Sequence, residues 1–269
     1  MALWFAALLG LVQGLTEFIP VSSNAHLRMT YALFRQSDET GAPYTAVIQL
    51  GSTIAVLAYF GKDLLALAQA VFKDPGGHDA RLVWMIGLGT VPIVILGVLL
   101  KSYVEDDLRS LYIVASALIG VGLVMAYIDQ TASTERDLTT LTYRDAILIG
   151  LAQTLALCPG VSRSGATICM ALLLGFARSD AARFSFLLSI PAVAGAGIFE
   201  ARTAVHKLGD DALPAIAIGI LVAAITSYFA IAWLIKWLGS HQLVGFAIYR
   251  VVIGIAVFAS LAAGWIEAS

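Results

Sequence analysis

Apolar residues run along this chain in long unbroken blocks, separated by short polar stretches that hold most of the charges. Six blocks, at 44–60, 82–100, 111–128, 183–200, 213–235 and 243–265, approach the roughly 20 residues that a helix needs to cross a bilayer. They are too continuous for the strands of a membrane barrel, which alternate with period two over about 10 residues. The polar linkers between them are expected at 61–81, 101–110, 129–143 and 201–212. Trp84, Trp233, Trp237 and Trp265 lie near block ends, where indole rings anchor at the membrane interface. Pro92, Pro191, Gly195 and Gly197 inside the blocks are tolerated in membrane helices.

Two further segments depart from this pattern. Residues 3–19 and 23–35 are separated by Pro20, and residues 145–157 and 163–176 by Pro159-Gly160. Proline removes a backbone donor and breaks a helix, and each half is short for a full crossing. Each pair therefore predicts a re-entrant hairpin, with non-helical backbone at membrane depth that is sustainable only inside protein or beside a watery cavity. The two hairpins also resemble each other. Shifted by 140 residues, Gly10, Leu11, Gln13, Leu15, Val21 and Ser22 meet identical residues, with the proline displaced by one. The predicted fold is an all-α polytopic membrane protein, one membrane domain over 1–269, built from two pseudo-repeats at 1–135 and 136–269. Each repeat is a re-entrant hairpin plus three spans. Three is odd, so the second repeat enters from the opposite face, and the broken helices of the two inverted repeats meet at a shared site.

Composition agrees with this fold. The 269 residues are 59% hydrophobic and 13% charged, and mean hydropathy is +0.88, against about 25% charged residues in a soluble domain. The net charge of −2 argues against nucleic acid, whose phosphates demand basic patches. Cys158 and Cys169 lie in apolar segments and are expected to pack rather than to pair or bind metal. The first segment has no basic leader region and is expected to be retained.

An ionisable residue at the centre of a membrane helix costs roughly 2.5–3.5 kcal/mol, so Glu17, His26 and Arg163 in the two hairpins ask for a functional reason. Ser22, Ser23, Ser162 and Ser164 follow the breaks and are good N-cap types. The helices they begin would aim free amides and positive dipole ends into the meeting place, a ready anion site. Arg163 adds a planar fork suited to phosphate oxygens. Gln13 and Glu17, four apart, share one helix face. A carboxylate beside a phosphate implies an intervening cation, Mg²⁺ or Ca²⁺ being the oxygen-seeking choices. His26, three residues past Ser23, is placed to act as base or acid. Alternatively Glu17 and Arg163 form a buried ion pair with each other. Gln49, Tyr249 and Arg250, polar groups in otherwise apolar spans, support the site or serve packing or cross-helix hydrogen bonding.

Gln13-Gly-Leu-Thr-Glu17-Phe-Ile-Pro-Val-Ser-Ser23-Asn-Ala-His26 resembles the signature of the BacA-type undecaprenyl-diphosphate phosphatases. Pro159-Gly-Val-Ser162-Arg163-Ser164-Gly165-Ala-Thr167 is similar to that family's second motif, and the stretches around Gln49 to Ser52, Phe184 and Ala247-Ile-Tyr-Arg250 also look like family segments. The resemblance covers essentially the whole chain. It implies a bacterial inner-membrane enzyme that removes the terminal phosphate of a C55 polyprenyl diphosphate to recycle the lipid carrier of cell-wall synthesis, an activity associated with bacitracin resistance. It further implies a divalent cation at Glu17 and Gln13, a homodimer, Ser23 as nucleophile, His26 as acid/base and Arg163 as phosphate clamp. Ser22, Ser162, Ser164, Gly165 and Thr167 are the expected substrate contacts. Two departures stand out: Gln13 where many members have Glu, and Asn24-Ala25 where many have Thr-Gly.

Two routes fit these residues: attack by Ser23 aided by His26, or attack by a metal-bound water that His26 directs. A secondary transporter or flippase for an anion or lipid phosphate is the alternative class, since inverted repeats with broken helices are common there. Placing loops 61–81, 129–144, 177–183 and 236–241 on one side collects Lys62, Lys73, Arg81, Arg136, Arg144, Arg178, Arg183 and Lys236, against Arg35, Lys101, Arg109, Arg202 and Lys207 on the other. The positive-inside rule makes the first side cytoplasmic, with both termini and the pocket facing out.

Overall fold

The structure, a computed structural model, describes residues 1–35, 38–100, 110–208 and 212–267; the side chains of 38–42, 196 and 198–208 lie outside that description. The elements are α1 (Leu3–Thr16), α2 (Ser23–Leu33), α3 (Asp38–Tyr59), α4 (Gly61–Lys73), α5 (His78–Leu99), α6 (Leu111–Thr131), α7 (Tyr143–Thr154), α8 (Arg163–Leu173), α9 (Arg178–Leu208), α10 (Leu213–Leu238) and α11 (Val244–Ala262). Short 3₁₀ turns occupy Leu138–Thr140 and Leu155–Leu157.

Four of these helices, α5, α6, α10 and α11, are long and apolar enough to span a membrane, and α3 with α4 makes a fifth if the bent pair is counted as one. Only 22–39% of each span's most apolar window is buried inside the protein. Much of the rest, such as Val98 at 76% exposure, presents apolar surface outward, as do Phe72 on α4 and Trp265 past α11 at 87% and 76%. In water such a surface would aggregate; facing lipid it is the expected exterior of a multi-pass membrane protein.

Both interrupted segments are broken where the prolines place the breaks. α1 stops at Thr16 and α2 starts at Ser23; α7 stops at Thr154 and α8 starts at Arg163. The halves are shorter than expected because backbone on either side of each proline falls into turns. At both breaks the residue that opens the second helix has positive φ: Ser22 at 74° and Ser162 at 73°. Non-glycine residues held there store about 1–3 kcal/mol of strain and cluster at functional positions.

Two expectations need correction. The linker 61–81 contains a helix, α4, turned 72° from the α3 axis. Its apolar residues group on one side and Lys62, Asp63 and Lys73 on the other; Leu67 is buried and the helix packs along α5, while Leu65 and Phe72 stay exposed. α9 continues eight residues beyond 200, to Leu208, absorbing most of the expected linker at 201–212. Most of the linker at 101–110 lies outside the described residues.

Packing follows a reciprocal scheme: α3 lies against α9, α6 against α11, α1 against α10, and α7 against α5. The last two contacts are backbone-close. A Cβ on Gly10 would sit 2.5 Å from the Gly219 carbonyl oxygen, and one on Gly150 would sit 2.2 Å from that of Gly89. Among membrane helices, where water cannot drive association, such small-residue contacts let dispersion do it.

The loops expected on one side meet at one end. Arg183 Nη2 donates to Asp63 Oδ2 at 2.8 Å, Arg178 Nε to Asp129 Oδ1 at 2.6 Å, and the Leu243 and Val244 amides to Asp129 Oδ2 at 2.6 and 3.1 Å. Arg136 Nη2 reaches Asp145 Oδ2 at 2.7 Å, and Asp145 closes a capping box with Thr142 that starts α7. Of the five basic residues assigned to the other end, Lys101 and Arg109, with the side chains of Arg202 and Lys207, lie outside the description.

Candidate active site

Glu17, one residue beyond α1, sits at the centre of a polar cluster. Its Oε1 accepts from Arg163 Nη2 at 2.7 Å, and its Oε2 accepts from Gln13 Nε2 at 2.9 Å and from the Ser23 hydroxyl at 2.6 Å. The two charged side chains are 8% and 13% exposed. Residues 146 positions apart thus join the first break to the start of α8, as the convergence of the two broken segments requires. The buried pair raised from sequence as an alternative is formed.

The supporting groups are buried hydroxyls. Gln13 Nε2 also lies 3.4 Å from Ser52 Oγ, which accepts from Ser227 at 2.8 Å. Arg163 Nη1 donates to the Ser189 carbonyl at 3.2 Å. Ser164 Oγ lies 3.2 Å from Ser162 Oγ and 3.4 Å from the Ile19 carbonyl, tying the start of α8 to the first break. Ser162 Oγ accepts from the Gly165 amide at 3.2 Å, so Ser162 caps α8 with its side chain, whereas no side chain caps α2. Thr167 is fully buried and shares its hydroxyl with the Arg163 carbonyl at 2.9 Å and with Ser185 Oγ at 2.6 Å. It fastens α8 to α9 and is covered by them.

His26 occupies a different position from the one expected. Its Nδ1 bonds the Ser22 carbonyl at 2.8 Å and its Nε2 bonds Tyr249 Oη at 2.8 Å, the two rings lying 5° from parallel. A carbonyl only accepts, so Nδ1 carries the proton and, in the neutral ring, Nε2 receives the tyrosine hydroxyl. Both nitrogens being engaged, His26 makes no pair with Ser23; Glu17 holds the Ser23 hydroxyl instead. A crevice of about 160 Å³, nowhere wide enough for a water molecule, borders the pair between Glu17, Phe18, Ser52, Thr53, Arg163 and Ser189.

For a divalent cation the available donors are few. Among the described residues no group of three or more His, Cys, Asp or Glu side chains converges. Gln13 Oε1, however, is buried and has no hydrogen-bond partner, while the Nε2 of the same amide is the atom that faces Glu17, the only carboxylate of the cluster. One carboxylate and one amide oxygen suit a hard cation that takes its remaining oxygens from a phosphate ligand.

The polar residues that sequence reasoning passed over are Ser189 and Ser227, single serines in apolar helices. Their signal was only that a hydroxyl in such a span needs a partner. Arg250, left open from sequence, bonds both breaks.

Fold and site together define a polytopic helical membrane protein with a buried polar site, centred on an ion pair, between two broken helices. Residues 6–256 match the family model described as bacitracin resistance protein BacA. The chain is 46% identical over 272 residues to the undecaprenyl-diphosphatase of Nocardioides sp. (strain ATCC BAA-499 / JS614), covering 98% of each chain. It is 45% identical over 273 residues to that of Myxococcus xanthus (strain DK1622), covering 98% of this chain and 91% of the relative. The chain belongs to the BacA family.

Proposed function

We propose that this chain hydrolyses undecaprenyl diphosphate to undecaprenyl phosphate and inorganic phosphate. The observation that carries the proposal is the convergence of Glu17, Ser23 and Arg163 between two helix starts; the names of relatives matched over nearly their full length supply the substrate.

The diphosphate enters between the starts of α2 and α8. Arg163 turns from Glu17 toward the outer phosphate, exchanging one anion for another while keeping its bond to Ser189. The first-turn amides of α2, which no side chain caps, add donors on the opposite flank. Such preorganised donors usually account for most of the rate in phosphoryl transfer. Ser23 Oγ attacks the outer phosphorus and gives its proton to Glu17 Oε2, already 2.6 Å away. The bond from that phosphorus to the bridging oxygen breaks, and the lipid monophosphate leaves. Water then adds to the phosphorus of the Ser23 ester, Glu17 returns its proton to Ser23 Oγ as that P–O bond breaks, and the water's protons leave on the released phosphate. The Glu17 contact favours this serine route over direct attack by water. His26, with Nδ1 on the Ser22 carbonyl and Nε2 accepting from Tyr249, steadies the turn that presents Ser23. Glu17 Oε1, freed as Arg163 turns away, and the Gln13 amide oxygen would hold Mg²⁺ or Ca²⁺, which would supply charge neutralisation to the diphosphate.

The inverted repeat is part of this reading. It is supported by the reciprocal contacts of α1 with α10 and α7 with α5, by equal φ at Ser22 and Ser162, and by full burial of both Gln13 and Gln153. So are a homodimeric assembly in the bacterial plasma membrane and an outward-facing pocket, the charged loops gathered around Asp63 and Asp129 being cytoplasmic. Purified protein in detergent should release phosphate from a short-chain polyprenyl diphosphate, lose that activity with EDTA and regain it with Mg²⁺ or Ca²⁺. A transporter, lacking a sealed compartment, releases none, and that result would overturn the assignment.

A further inference from the structure

Arg250 lies midway along α11 and is fully buried. Its Nη1 donates to the Pro20 carbonyl at 3.1 Å, in the first break. Its Nη2 donates to the Gly160 and Val161 carbonyls at 2.8 and 3.0 Å, in the second break, and lies 3.4 Å from the Ala117 carbonyl on α6. One guanidinium therefore holds both interruptions. Breaking a helix frees carbonyls that hydrocarbon cannot satisfy, and a planar fork with donors pointing in several directions can serve two chain segments at once, which a single ammonium cannot.

The second break is shaped to admit that fork. Gly160 has φ of +96°, and a Cβ there would lie 2.6 Å from the Val114 carbonyl oxygen, so only glycine lets this backbone turn between α6 and Arg250.

Charge adds a second element. Glu17 and Arg163 neutralise each other, but every hydrogen-bond acceptor of Arg250 is a backbone carbonyl. A buried charge without an acid partner is expensive. Here its full positive charge stays beside the meeting place of the breaks, where a diphosphate would arrive.

We infer that Arg250 is a positioning residue. It locks the two breaks in register, so that Ser23 and Glu17 from one and Arg163 from the other address the same phosphorus, and its charge strengthens capture of the anionic headgroup. This rests on the phosphatase reading.

The test compares wild type, Arg250→Lys and Arg250→Gln in detergent, using phosphate release from a short-chain polyprenyl diphosphate and hydrogen–deuterium exchange without substrate. Arg250→Lys keeps the charge and loses the bridge. Since a displacement near 1 Å can cost about 100-fold, kcat should fall by about that factor while KM stays within about threefold. Arg250→Gln should lose kcat similarly and raise KM about tenfold, the charge being gone. Exchange at amides of 19–23 and 158–163 should rise in both variants. Arg178→Gln, which breaks an ion pair at the loop end of the bundle, is the control for lost stability; its kcat should stay near wild type at low temperature. The inference is overturned if Arg250→Lys keeps wild-type kcat with unchanged exchange, if its kcat falls no further than that of an equally destabilised Arg178→Gln, or if neither Arg250 variant folds to a monodisperse species, which would mark a purely structural role. Wild type that releases no phosphate would sink the phosphatase reading alone, and the exchange comparison would then decide the bridge.

Discussion

Replacing Glu17 by Gln tests the centre of the site through stability as well as activity. The carboxylate accepts from Arg163, Gln13 and Ser23 at 2.7, 2.9 and 2.6 Å, in a place where the paired side chains are 8% and 13% exposed. Removing one partner of a buried pair costs about 3–5 kcal/mol, because the other charge is stranded. The lower end applies here, since Arg163 keeps the Ser189 carbonyl at 3.2 Å. A chain of this size melts about 2 °C lower per kcal/mol, so Glu17→Gln should lower Tm in detergent by about 6 °C. Adding Arg163→Met removes the stranded cation and should recover at least half of that loss, a coupling of about 1.5 kcal/mol or more. Circular dichroism melting of the four species closes the cycle, and phosphate release should be abolished wherever either residue is changed. Additive losses, with the double variant melting lowest, would refute the buried-pair reasoning and with it the placement of Glu17 against Arg163.

Three further outcomes are expected. Gly150→Ala places a methyl 2.2 Å from the Gly89 carbonyl oxygen; with backbone on both sides, α5 and α7 must part by about 1 Å, costing roughly 1–3 kcal/mol in a denaturation series, and the hairpin that carries Arg163 should lose turnover as well. Tyr249→Phe removes the hydroxyl on His26 Nε2 and should cut kcat about tenfold with little change in KM, in steady-state phosphate release. Asp129→Asn strands Arg178 and weakens two amide contacts at the start of α11. It should lower stability by about 3 kcal/mol yet leave kcat at low temperature near wild type, because no site residue touches it.

The sequence showed most clearly where it violated its own apolar pattern. Pro20 and Pro159 located both breaks because proline acts locally, whatever surrounds it. Glu17 and Arg163 could be brought together on paper because charge at membrane depth must find a partner. The α4 helix is hidden, since a segment with Lys62, Asp63 and Lys73 reads as a linker until Leu67 is seen to pack beside α5. His26 was paired with Ser23 by sequence proximity; the observed partner, Tyr249, is 223 residues away and nothing local announces it. For the same reason the double grip of Arg250 was out of reach: its acceptors are carbonyls, which every residue has, and only the fold selects which ones it meets.

The unequal caps at the two breaks make the cleft handed. Ser162 turns its hydroxyl back onto the Gly165 amide, while Ser22, at nearly the same backbone angle, leaves the corresponding turn of α2 bare. One wall therefore offers a guanidinium and the other offers unclaimed peptide hydrogens. On the phosphatase reading, a ligand with two different ends would meet two different surfaces, and only one way of lying across the site would put its terminal group against the arginine. Two breaks of like backbone shape need not mean ambivalent docking.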